Sequence, residues 1–425
     1  MAIRGAAVWA FGALAAAVSA ASADSFLLRN VDVYPVTSPP LKSASILVLN
    51  GKIAEIGAKI PAAKDIRVID GKGLRAYPGL IDSGTELGLS EISDVRATVD
   101  TAELGVFMPQ LRALVAVNPE SEHFGVVRAN GITAAVTFPA LGEEHRTEHQ
   151  IISGQAAVIH TDGWTWEEME VKRAAALHLV FPALPRGQPR GFAEAKKTYS
   201  RQIQELAEFF AEARRYGAAR AAGGAGFRPD RKLEALLPAL EGKLPVAVTA
   251  EREPEIRAAI QFADEQKVRM ILLEPRELGK TAAELKARHI PVVLGRTLEL
   301  PLDEDAPYDS SFTLPAEAWR AGLTIAFGTF DNEFVRDLPY NAAAAAAYGL
   351  PYEEALKAMT INPARIWGVA DQMGSIEKGK WADLMLVTGD PLETPTQVKA
   401  LYIKGKAVDL NNRQTRLYEK YLNRP

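Results

Sequence analysis

Cysteine is absent from this 425-residue chain, which excludes a disulfide scaffold, a zinc knuckle, an iron–sulfur site and a thiol nucleophile together. A basic excess is absent too. The 49 Lys and Arg stand against 53 Asp and Glu, a net charge of −4, whereas a nucleic-acid binder shows a positive surplus on one face; no nucleic-acid partner is expected. The chain has no G-x-S-x-G elbow, P-loop or G-x-G-x-x-G run, so serine-hydrolase, NTPase and Rossmann readings lack support. Beyond the first segment no apolar run reaches the roughly 18 residues of a membrane span. What is present is an ordinary globular composition, 48% hydrophobic and 24% charged, long enough for one large α/β domain with a satellite.

Residues 1–23 read as an export signal. Arg4 gives a cationic start, Ala6 to Val18 an apolar stretch, and Ala21-Ser22-Ala23 the small residues a signal peptidase requires before Asp24. The expected mature protein is therefore periplasmic or secreted, with no membrane attachment after removal. Residues 24–76 read as β: Ser45–Leu49 and Lys52–Ile56 flank Asn50-Gly51, the dipeptide best suited to a type I′ turn, and Arg67–Asp70 adds a further strand. A second β cluster, Trp381–Val387 and Val398–Gly405, lies at the other end. Neither cluster closes a core alone, which predicts a small β-sandwich built from residues 24–76 and 373–425. Between them, residues 77–372 alternate short apolar runs with helical stretches, and a closed (β/α)8 TIM-like barrel is the economical form. Its chemistry belongs at the C-terminal ends of the strands.

Several features are weighed as ordinary structure. Ala342 to Ala347 reads as a tightly packed helix, and Lys196 to Lys232 as a long solvated helix leading into a Gly-rich loop, with a lid over the barrel as the sharper alternative. His145 and His149 have i,i+4 spacing without an evident third ligand. Trp164 and Trp166 could line a pocket or simply pack, and His123, His178 and His289 carry no constellation.

Tyr77-Pro-Gly-Leu-Ile-Asp82 resembles the opening of the first barrel strand in the amidohydrolase superfamily. Thr360-Ile-Asn-Pro-Ala-Arg-Ile-Trp-Gly368 and Gly374-Ser-Ile-Glu-Lys-Gly-Lys-Trp-Ala-Asp-Leu-Met-Leu-Val387 are similar to the C-terminal signatures of its imidazolonepropionase-like branch. The resemblance implies hydrolysis of a non-peptide C–N bond in a small amide or cyclic amide, by hydroxide generated on one or two zinc-like divalent metals. It also implies ligands: an H-x-H after strand one, a carboxylated Lys near strand four, one His each on strands five and six, and an Asp on strand eight. In this chain Gly84 and Glu86 stand at the H-x-H, His160 at the Lys, Thr249 and Glu274 at the two His, and Phe330 at the Asp, with Asp331 one residue late. Every expected ligand position is altered, so no metal cofactor is expected beyond a single weak ion on Glu86, His160 and Glu274.

Arg252, Arg276, Arg296 and Arg336 follow strands five to eight. Guanidinium groups are a sensible replacement for a lost dication beside carboxylates, and they are expected either to bind a small anionic ligand or to close the pocket in a salt-bridge network with Glu86, Glu251, Glu274 and Asp331. Two functions follow. In one, the protein is a hydrolase with Asp331 as general base, Glu274 or His160 assisting and an Arg polarising the carbonyl. In the other it has lost turnover and serves as a ligand-binding or partner subunit, of an intact amidohydrolase or of its own oligomer.

Overall fold

The computed structural model describes residues 24–141, 150–184, 191–223 and 226–424; the proposed export signal, His145 and His149 lie outside them. The two chain ends meet in one eight-stranded sheet. From the N-terminal side come β1 (Phe26–Val33), β2 (Leu41–Leu49), β3 (Lys52–Gly57), β4 (Arg67–Asp70) and β5 (Arg75–Pro78); from the C-terminal side come β14 (Leu384–Val387), β15 (Val398–Ile403) and β16 (Lys406–Ala407). The order is β16-β15-β14-β5-β1-β2-β3, and β4 also pairs with β1. The join is the antiparallel pairing of β14 with β5, from Leu384 opposite Pro78 to Val387 opposite Arg75. Asn50 and Gly51 both take positive φ at the β2–β3 turn, as the Asn-Gly dipeptide predicts. The sheet has its own core, with Phe26, Leu28, Ile46 and Val48 against Leu384 and Tyr402.

The second sheet is the barrel: β6 (Leu80–Thr85), β7 (Ile132–Thr137), β8 (Ile152–His160), β9 (Glu170–Val180), β10 (Val246–Thr249), β11 (Met270–Leu273), β12 (Val292–Leu294) and β13 (Ile325–Phe327), hydrogen-bonded in that order. Around it run α1 (Glu122–Arg128), α2 (Trp166–Met169), α3 (Phe192–Ala222), α4 (Arg231–Leu240), α5 (Glu253–Gln266), α6 (Thr281–Ala287), α7 (Ser310–Arg320), α8 (Leu338–Ala347), α9 (Tyr352–Ala358) and α10 (Ile361–Ile366), with α11 (Arg413–Leu422) near the C-terminus. The strand period of two sorts the layers. On β10, Val246 and Val248 join the layer under the helices, and Ala247 faces the interior with Ala134, Ala156, Ala176, Ile271 and Val293. Phe330 N donates to Gly84 O at 2.8 Å and draws the end of β13 against β6, nearly closing the ring.

One strand departs from regular β/α alternation: β8 is antiparallel to both β7 and β9. Its C-terminal end therefore lies at the foot of the barrel, where the other strands begin. The Thr360–Gly368 motif closes this foot. Asn362 Nδ2 donates to Ile325 O at 3.0 Å, and the buried Trp367 ring meets Phe138 edge-on inside the barrel, with centroids 5.5 Å apart. The helix read within Lys196 to Lys232 is α3, which runs to Ala222 and is seated by the buried Leu206, Phe210, Ala213 and Tyr216. A helix anchored along that much of its length is a wall of the barrel layer rather than a lid.

Candidate active site

Counting strands around the ring makes β6 the first, β9 the fourth, β10 the fifth, β11 the sixth and β13 the eighth. At the C-terminal ends of β6 and β13 the ring of Phe330 occupies the space in front of Gly84. A Cβ on Gly84 would stand 2.9 Å from Phe330 Cε1, and one on Gly328 would stand 2.8 Å from Phe330 Cε2, closer than carbon atoms approach. Phe330 reaches this place from a left-handed backbone, φ 51°, a conformation that a non-glycine residue holds only when its surroundings require it. The two glycines and the phenylalanine form one packing unit.

The polar positions around this ring are engaged. Glu86 is buried, and its Oε1 accepts from Leu141 N at 2.8 Å. Thr249 Oγ1 lies 3.0 Å from Nε2 of His178, whose Nδ1 is 2.6 Å from Ser153 Oγ and 2.9 Å from Pro139 O. Ser153 Oγ itself donates to Pro139 O at 3.0 Å. Nδ1 thus faces Ser153 Oγ and Pro139 O while Nε2 faces the Thr249 hydroxyl, so both ring nitrogens have hydrogen-bond partners. The chain crosses β8, β9 and β10 and is wholly buried.

His178, on the fourth strand, is the residue that sequence reasoning missed. His160 does not belong to this site, which corrects the assignment of a catalytic or metal-holding role to it. Because β8 runs antiparallel, His160 sits opposite Ala134 near the start of β7, where its Nε2 is 3.0 Å from Asp383 Oδ2 of the terminal sheet. Trp164 and Trp166 lie in the same β8–β9 connection, the first 83% exposed and the second packed on the helix layer; neither lines the mouth. His123 Nε2 is 3.0 Å from Glu91 O, and His289 is exposed at the foot.

Glu274 and Asp331 do reach the mouth. Glu274 follows β11 with φ 52° and is half-buried. Asp331 spends Oδ1 on the backbone N–H groups of Glu333 (2.6 Å) and Phe334 (3.0 Å), starting a short 3-10 turn, while its Oδ2 lies 3.7 Å from Arg296. Arg252, Arg276 and Arg296 find ion-pair partners in the 295–309 loop, whereas Arg336 lies 3.8 Å from its neighbour Asp337. Arg252 makes a two-pronged pair with Asp303 at 2.7 and 2.8 Å. Arg276 binds Glu299 at 2.7 Å and Leu300 O at 2.6 Å, and Arg296 takes the other Glu299 oxygen at 2.9 Å. Arg336 donates to Glu333 O at 2.9 Å and, with Arg296, flanks the Phe334 ring. Of the two expectations for these guanidiniums, the local pairs and the approach of Arg296 to Asp331 resemble the closing network more than an open ligand ring.

Asp82 was not singled out in the sequence beyond its place in the first-strand motif. It is wholly buried; Oδ1 accepts from Gly84 N (2.9 Å) and Thr329 N (3.2 Å), and Oδ2 meets Thr329 Oγ1 at 2.6 Å. Burial pushes its carboxyl up from 3.8 to about 7 against the lowering effect of these bonds. It ties the first strand to the eighth directly beneath Phe330.

A zinc-like pair, as the family resemblance implies, requires three or four convergent N or O donors per ion at about 2 Å. Gly84 offers no donor, Phe330 fills the gap, Thr249 is hydrogen-bonded to His178 and His160 is at the opposite end. Among the described residues no group of three or more His, Asp and Glu converges. The metal centre does not fit this donor set, nor does a lone ion on Glu86, His160 and Glu274.

Comparison with known proteins agrees with the fold. The amidohydrolase family model matches residues 263–408. The crystal structure of an amidohydrolase from Thermotoga maritima MSB8 is 28% identical, covering 90% of this chain and 99% of its own with a TM-score of 0.79. The amidohydrolase tasK of Hapsidospora irregularis is 23% identical over 397 residues, 85% of this chain but 39% of that protein, so the chain spans about two-fifths of the length of this curated relative. Phenylurea hydrolase B shares the fold at 16% identity, with a TM-score of 0.54 over 91% of this chain and 97% of its own. The motifs at both ends of the barrel, its union with a sheet made from both chain ends, and these relatives place the chain in the amidohydrolase superfamily, on that family's hydrolase scaffold.

Proposed function

We propose that this member, on its motifs akin to the imidazolonepropionase-like branch, has given up hydrolysis and acts as a subunit that binds a partner, an intact amidohydrolase. The observation that carries the reading is the Phe330 ring, held from a left-handed backbone in the space before Gly84 and Gly328. An apolar ring at the point where this scaffold concentrates its donors removes the room for an ion and for a hydroxide. The paired arginines support the same reading, because guanidiniums bonded to Asp303 and Glu299 have few donors left for a substrate. The curated relative carries the matching region as under half of a longer chain, in keeping with a unit that works joined to others.

Metal analysis of the purified protein, with an assay against amides, cyclic amides and dipeptides, tests this. The expected result is sub-stoichiometric metal, no turnover, and co-purification with an active amidohydrolase from the native source. Stoichiometric zinc with chelator-sensitive turnover defeats the proposal. A second reading, metal-free hydrolysis with Asp331 as base and Glu274 assisting, is supported by the approach of Arg296 to Asp331. Its signature is turnover indifferent to chelator and lost in Asp331→Asn. Export, read from residues 1–23, predicts a mature N-terminus at Asp24 in protein recovered from the periplasm or medium.

A further inference from the structure

At the foot of the barrel, where β10, β11 and β12 begin, a cavity of about 350 Å³ opens between α5, α6 and the end of α10. Its floor is apolar: Val268, Met270, Ile290 and Ile366 contribute to it. Arg269, which is exposed, stands on its rim with Arg288, His289 and the carboxylate of Asp264. Arg288 is committed, with Nε on Asp264 at 2.8 Å. Arg269 is not; its one hydrogen bond is to Lys243 O at 3.2 Å, and it forms no ion pair among the described residues.

Beside it is a second cation without a counter-ion. Lys172 Nζ donates to Trp367 O at 2.8 Å, next to Ile366, and also forms no ion pair among the described residues. Burial first, and then the Arg269 charge, hold the Lys172 ammonium below its usual range, with Asp371 opposing weakly. Arg269 at the lip of an apolar hollow, with Lys172 behind it close enough to feel its charge, is an arrangement that a bound anion stabilises. The size suits a compact molecule. At the mouth Arg252, Arg276 and Arg296 are neutralised by loop carboxylates; at the foot these two are not, among the described residues.

We propose that this cavity binds a small organic anion, a carboxylate on a compact apolar body such as an aryl ring, with Arg269 holding the carboxylate and the floor taking the body. The site lies at the opposite end of the barrel from Phe330 and does not depend on whether the mouth turns anything over.

The test uses the full mature chain with phenylacetate, 2-phenylethanol and inorganic phosphate as probes, read by calorimetric titration and thermal shift. Phenylacetate is expected to bind at one site and raise the melting temperature with concentration, while 2-phenylethanol and phosphate produce neither signal. Arg269→Gln is expected to melt no lower than wild type without ligand and to bind phenylacetate about tenfold more weakly, the loss of one charge-assisted contact. Absence of phenylacetate binding overturns the proposal, as does equal binding by Arg269→Gln. Phosphate binding as well as phenylacetate would remove the apolar body from the ligand and overturn it equally. Arg252→Gln at the mouth serves as the control and is expected to leave phenylacetate binding unchanged; a tenfold loss there would move the site to the mouth and sink the assignment.

Discussion

The two ends of the barrel treat their charged groups in opposite ways. At the mouth, Arg252, Arg276 and Arg296 are each bonded to a carboxylate of the 295–309 loop, and the fully buried carboxyl, Asp82, has only neutral partners in Gly84 N, Thr329 N and the Thr329 hydroxyl. At the foot, the buried carboxyl Asp383 faces an imidazole, His160, while Arg269 and Lys172 have no counter-ion among the described residues. The mouth is self-sufficient, its guanidiniums held in local pairs around the Phe330 ring. The other end keeps unspent positive charge.

The largest expected effect probes Asp82. Its folded carboxyl, raised to about 7, holds a proton that the unfolded chain releases from 3.8 upward. Its contribution is therefore fully present below about pH 4 and is lost as pH rises toward 7, at roughly 1.4 kcal/mol per pH unit. Asp82→Asn donates to the Thr329 hydroxyl in the same place and should flatten that part of the profile. Urea unfolding of both proteins from pH 5 to 8 measures it; parallel profiles would show that Asp82 is ionised throughout.

Next comes Phe330→Ala, expected to cost about 3 kcal/mol, the low end for a phenylalanine because the ring is only partly buried. Gly84→His should cost about 1–3 kcal/mol in the wild type by crowding the ring, and markedly less in the Phe330→Ala background, a coupling that chemical denaturation of the four proteins resolves. If the cost of the histidine is the same in both, the ring does not fill that space. A smaller change is expected from Thr249→Val, which leaves His178 Nε2 without its hydroxyl and should lower stability by about 1–2 kcal/mol. Proton NMR of the His178 ring would show the altered tautomer balance.

Much of the fold is legible because apolar runs announce strands: those at 245–249 and 269–273 are β10 and β11, with Ala247 and Ile271 facing the interior. The direction of a strand is not written in its own residues. The first half of β9, Glu170-Val-Lys-Arg-Ala, is largely half-exposed and reads as loop, so the gap after His160 looked long enough for a crossover helix. With β9 starting at Glu170 the gap is nine residues, short of the dozen or so a parallel crossover needs. That spacing was the available signal, and it would have moved the fourth strand from His160 to His178. The arginine partners were obscured for a different reason: Glu299 and Asp303 lie in a loop with no periodicity, and only its folding over the mouth brings them within reach.

The smallest effects distinguish the two ends by sign. Arg252→Ala breaks a two-pronged pair in which the arginine is mostly buried and Asp303 is 39% exposed, so solvent screening limits the loss to under about 1 kcal/mol, shrinking further in high salt. Arg269→Gln removes one of two facing like charges and should not destabilise the ligand-free protein; at low ionic strength its midpoint should rise slightly, because Lys172 is relieved of a repulsion. Thermal denaturation of both variants at low and high salt measures the contrast. A destabilised Arg269→Gln would mean that an unrecognised anionic group already neutralises the foot, and the asymmetry between the two ends would disappear with it.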